Sequence, residues 1–112
     1  AACIAAQGLI RIGNWLKSSD PSRSKSYVQA GIQLASVLFS EPYLSTKASH
    51  QGLILHSIYH QPNGWDYVPE KGKVAHGESS MWGDYHAREL ALLIQRMAKN
   101  EPYYSYLNCV PA

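Results

Sequence analysis

Long apolar runs are missing from this sequence, and none reaches the roughly 20 residues that a membrane-spanning helix needs. Charge is thin as well. Ten Lys and Arg against eight Asp and Glu leave a net charge of +2 over 112 residues. The one local basic run, Arg23 to Lys25, is interrupted by Ser24. A phosphate backbone is gripped by clustered cations, so nucleic-acid binding through a basic patch is not expected. Cysteine is limited to Cys3 and Cys109, near opposite ends and in no metal or redox motif. They are expected to be free thiols, with a single bridge between the termini as the alternative. The opening Ala1 to Ala6 lacks the charged leader of a signal peptide and runs straight into a helical pattern.

Phenylalanine occurs once, against eight tyrosines and three tryptophans. Aromatics with a polar handle suit surfaces that are both apolar and wet, such as interfaces and sugar-binding clefts. At 46% hydrophobic and 16% charged residues, the composition is globular and amounts to one domain.

Taken in order, residues 1–17 read as a helix. Ala2, Ala5, Ala6, Leu9, Ile12 and Leu16 form its apolar stripe, with Gln7, Arg11 and Asn14 elsewhere. Small residues at Ala1, Ala2, Ala5 and Gly8 invite a close helix neighbour. Ser18 to Ser22 is a turn in which Asp20-Pro21 forces a fresh start. A second helix over 22–39 buries Tyr27, Ala30, Ile32, Leu34, Ala35, Val37 and Leu38, giving an antiparallel hairpin. Leu53 to His60 reads as a short strand, Pro62-Asn63-Gly64 as a turn, and Trp65 to His76 as a long irregular loop. A third helix over 80–98 places Tyr85, Leu92, Leu93 and Met97 near one face, and Tyr103-Tyr104-Ser105-Tyr106 leads out as an aromatic tail. The fold class is therefore all-α: a helical hairpin plus a third helix, with a strand-like segment and a long loop between them.

The stretch Gly77 to His86 concentrates the chemistry. Glu78, Ser79 and Ser80 read as pre-helical or capping residues, whose side chains can accept from first-turn N–H groups. Gly83 costs about 1 kcal/mol of helix propensity relative to Ala, which implies close approach by a neighbour. Glu78 and Asp84 suit the positive helix start, and Glu89 is expected to brace a loop or pair with an arginine. Trp65, Tyr67, Trp82 and Tyr85 are candidates for a wall on which a sugar ring stacks. His56 and His60, four apart in a strand, would share a face. No ligating residue stands at metal spacing beside them, so they are read as ligand contacts or partly buried imidazoles, not as a metal site.

Gly52-Leu53-Ile54-Leu55-His56, then Tyr59-His60-Gln61-Pro62-Asn63-Gly64, then Glu78-Ser79-Ser80-Met81-Trp82-Gly83-Asp84-Tyr85 and Glu89 together resemble the C-terminal region of unsaturated glucuronyl hydrolases, glycoside hydrolase family 88. The opening Ala-rich helix and the helix bearing Tyr27 are similar to the hairpin that precedes that region. The resemblance implies the last part of an α/α toroid of six hairpins, completed by an N-terminal part outside this chain. It implies an enzyme that releases 4,5-unsaturated uronic acid from the non-reducing end of lyase-generated oligosaccharides. That enzyme hydrates the enol-ether double bond through an aspartic acid, unlike the carboxylate pair that works at an anomeric carbon. The catalytic aspartates belong to earlier helices, so none is assigned here and this chain alone is expected to be inactive. Tyr85, Trp82, His56 and Ser79 carry over as substrate-binding candidates, and no cofactor is implied. Where the family has another aromatic after the tyrosine, this chain has His86. The alternative is a small non-enzymatic carbohydrate-binding or interaction module.

Overall fold

The computed structural model describes residues 1–102. Three helices, α1 (Ala2–Leu16), α2 (Pro21–Leu38) and α3 (Met81–Ala98), make up its regular structure, with a single 3-10 turn at Gln61–Asn63. The all-α expectation holds: a hairpin of α1 and α2 packs with α3. Asp20 caps α2 by accepting from the Arg23 N–H at 3.0 Å, and Pro21 fits the first helical position, where an N–H would lack a partner. Ser80 caps α3 through the Gly83 N–H at 3.2 Å. Asn100, at φ 53°, ends α3: its N–H reaches the Met97 carbonyl at 3.1 Å while the Glu101 N–H reaches that of Arg96 at 2.9 Å. That pair of bonds around a left-handed residue is the Schellman stop.

The hairpin closes on its smallest residues. A Cβ on Gly13 would lie 2.6 Å from Val28 Cγ2 and 2.9 Å from the Ser24 carbonyl. A Cβ on Gly31 would lie 2.7 Å from Ile10 Cγ1 and 2.8 Å from the Ala6 carbonyl. Each helix thus offers a glycine notch to the other. The buried stripe of α1 is Cys3, Ala6, Gln7, Ile10 and Gly13, and α2 contributes Ser24, Gly31, Ala35 and Leu38.

This corrects the expected faces. Ala5 and Ile12 point to solvent, as do Tyr27, Ile32 and Val37 of α2, while Gln7 is buried. Apolar residues surround α1 on most sides, so hydrophobicity does not choose its face; the axial approach set by Gly13 and Gly31 does. Gly8, one of the expected small contacts, has nothing within 4 Å of a built Cβ. On α3 the buried residues are Ala87, Leu90 and Leu93, and Tyr85 and Leu92 are exposed.

The predicted strand over Leu53 to His60 does not form. A single antiparallel bridge joins Leu44 and Ile54, and no ladder extends it among the described residues. The Leu55 N–H donates to the Tyr43 carbonyl at 2.7 Å within the bridge, but the segment's other backbone donors go elsewhere. Asp84 takes the N–H groups of Leu53 and Ile54, both at 2.9 Å. The Glu78 carbonyl takes that of Ser57 at 2.9 Å, and Asp66 takes those of Tyr59 and His60. His56, at φ 62°, turns the chain out of the extended region. Once side-chain carboxylates satisfy these groups, a sheet has nothing left to offer them. The aromatic tail and Cys109 lie outside the described residues; Cys3 is buried, and burial raises its thiol pKa.

Candidate functional site

Three cavities surround the first turn of α3, and Ser80, its cap, borders all of them. The first, of about 430 Å³, lies between the start of α1, the 54–58 segment and α3. The second, of about 410 Å³, opens among the aromatics of the long loop. The third, of about 510 Å³, lies on the Tyr85 side of the helix. Trp82 is the wall between the first two, since its indole borders both.

On the second cavity Trp82 meets Tyr59 at 4.8 Å between ring centroids, and Tyr59 meets Trp65 at 5.7 Å, all three rings exposed. Asp66 makes this arrangement possible. Its carboxylate accepts from the Tyr59 and His60 backbone and so folds the loop back until Trp65 lies beside Tyr59. Tyr67 borders the same space. The expected wall of Trp65, Tyr67, Trp82 and Tyr85 thus keeps three members, gains Tyr59, and loses Tyr85 to the third cavity.

The four carried-over candidates are not brought to one place. His56 and Trp82 border the first cavity, Trp82 and Ser79 the second, and Ser79 and Tyr85 the third. Ser79 is not the cap. Its hydroxyl occupies the space above Gly52, where a built Cβ would fall 1.6 Å away. Gly83 meets the close approach its presence implied, with Ser57 Oγ 3.0 Å from a built Cβ. His56 and His60 part company: His56 packs edge-on to Tyr43 and His76, and His60 against Trp65. Among the described residues no three His, Cys, Asp or Glu side chains are grouped as metal ligands.

Glu89 gathers three donors at the junction of α1 and α3. It accepts from Tyr85 Oη at 3.0 Å, His86 Nδ1 at 3.1 Å and Gln7 Nε2 at 3.5 Å. Gln7 also donates to the His86 carbonyl at 3.2 Å, joining α1 to α3. Burial alone would push the Glu89 carboxyl up, but the hydrogen bonds from His86, Tyr85 and Gln7 outweigh it and hold the group below its ordinary value. The same bond to Glu89, and the nearby negative charge, raise the Tyr85 phenol. This hub escaped sequence reasoning because Gln7 is 79 residues from His86; the Tyr85–Glu89 and His86–Glu89 spacings were its local signals.

The two aspartates of the region are both committed to backbone. Each carboxylate accepts from two consecutive N–H groups, Leu53 and Ile54 for Asp84, Tyr59 and His60 for Asp66. Both oxygens of each carboxylate are thereby engaged in holding the chain of the 53–60 segment. In comparisons with known proteins, no family model, no curated protein and no solved structure matches this chain.

Proposed function

We propose that this chain is the sugar-binding C-terminal part of a glycoside hydrolase that acts on 4,5-unsaturated uronyl oligosaccharides. In this reading it completes an α/α toroid whose N-terminal hairpins supply the catalytic aspartates. The resemblance of Gly52 to Gly64 and Glu78 to Tyr85 supplies the family. The observation that carries the sugar reading is the exposed run Trp65, Tyr59 and Trp82, which lines a cleft beside the serine-rich start of α3. Pyranose faces stack on such rings while serine hydroxyls reach the sugar's edge.

Titrating the full chain with an unsaturated uronyl disaccharide, by calorimetry and tryptophan fluorescence, tests this. Trp65→Ala and Trp82→Ala should each weaken binding roughly three- to tenfold. Saturable binding that neither variant alters would remove the aromatic wall from the reading, and no binding at millimolar ligand would sink the reading itself. The commitment of Asp66 and Asp84 to backbone also favours a second reading, a carbohydrate-binding module without catalysis. A polypeptide with upstream helical hairpins that hydrolyses the disaccharide would discard it.

A further inference from the structure

We propose that His86 binds ligand in the cavity behind Trp82, accepting a hydrogen bond from a ligand hydroxyl through Nε2, with Glu89 as its positioning residue. The ligand class, a hydroxylated ring, rests on the sugar-binding reading above; the assignment of the imidazole does not.

The ring nitrogen left over decides the role. An ionised carboxylate only accepts, so the contact between His86 Nδ1 and Glu89 Oε2 puts the proton on Nδ1. In the neutral ring the lone pair then sits on Nε2, which has no hydrogen-bond partner among the described residues. His86 borders the 430 Å³ cavity, and the residues that hold its other edge, Glu89 and Gln7, do not. With Nδ1 held by Glu89, Nε2 is the ring nitrogen left for the cavity that His86 borders. Ser57 and Ser80 bring hydroxyls to the same space, and Trp82 gives it a flat apolar side. Ser80 Oγ already accepts from the Gly83 N–H, so its own proton is available to donate. The Ser57 hydroxyl already donates to the Ile54 carbonyl at 3.4 Å, so Ser80 is the donor; an acceptor, a donor and an aromatic face converging on one cavity of this size make a site for a ring carrying hydroxyls.

Two measurements on the full chain test the proposal. Long-range nitrogen–proton NMR on labelled protein should show His86 as the Nδ1–H tautomer, and Glu89→Gln should shift it toward a mixture. A pure Nε2–H tautomer in the wild type would overturn the assignment. In the second measurement, the unsaturated uronyl disaccharide should shift the His86 ring resonances along with those of Trp82. His86→Asn, which can still donate to Glu89, and His86→Phe should each weaken binding about tenfold with the helical circular dichroism retained. If the disaccharide shifts only Trp65 and Tyr59, and both variants bind as tightly as wild type, the His86 proposal fails while the sugar reading stands. If it shifts nothing, both fall together.

Discussion

Asp84 anchors the site as a single residue. Its two carboxylate oxygens hold the Leu53 and Ile54 N–H groups against the first turn of α3. Asp84→Ala removes both acceptors at once. The expected loss is about 2 kcal/mol, or roughly 8–16 °C in Tm, read by thermal denaturation. Hydrolysis offers a separate check. The chain by itself should leave the ultraviolet absorbance of the unsaturated disaccharide unchanged; an enzyme-dependent decrease abolished by Asp84→Asn would return Asp84 to the chemistry. Glu89 ties stability to pH. Its folded pKa is held below the ordinary value of 4.5, so its contribution is present above that value and is lost as pH falls through the folded one. The side chain is 40% exposed, which keeps the effect small. A plot of Tm against pH should therefore fall less steeply on the acid side for Glu89→Gln than for the wild type.

At the scale of elements, two glycines of the hairpin predict opposite outcomes for the same substitution. Gly31→Ala drives a methyl into Ile10 and the Ala6 carbonyl, and should destabilise by about 1–3 kcal/mol despite better helix propensity. Gly8→Ala meets nothing within 4 Å and should stabilise by up to about 1 kcal/mol. Chemical denaturation of both variants beside the wild type reads the contrast. Helix positions were legible in the sequence because local signals set them: Asp20-Pro21 before α2, and Ser80 ahead of the Met81 periodicity. The buried faces were not, since the pairing of Gly13 with Ser24 and Val28, and of Gly31 with Ala6 and Ile10, is a relation between helices. The strand expectation failed for the same kind of reason. Leu53 to His60 has strand-like residues, but Asp66 and Asp84 reach its N–H groups from outside the segment. Of the site, Trp65 and Trp82 were recognisable by type, whereas Tyr59 joined them only through the fold of the loop.

Across the whole molecule, one face of α1 has no cover among the described residues. Ile4, Ile12 and Trp15 are 51%, 46% and 72% exposed and fall at helical spacing along one side. A contiguous apolar stripe of this kind promotes association. The chain should therefore sediment as oligomers at micromolar concentration, and Trp15→Ser with Ile12→Ser should shift it toward monomer; a wild-type monomer over that range would contradict this. In the toroid reading the stripe is where the preceding hairpin docks. The two glycine notches carry a mechanical consequence for any such assembly. Because each helix seats its backbone in the other's notch, one turn apart along the contact, the hairpin resists axial shear as a beam held by two neighbouring pegs does. Any compliance needed to admit or release a ligand then belongs to the long loop and the segments outside the hairpin.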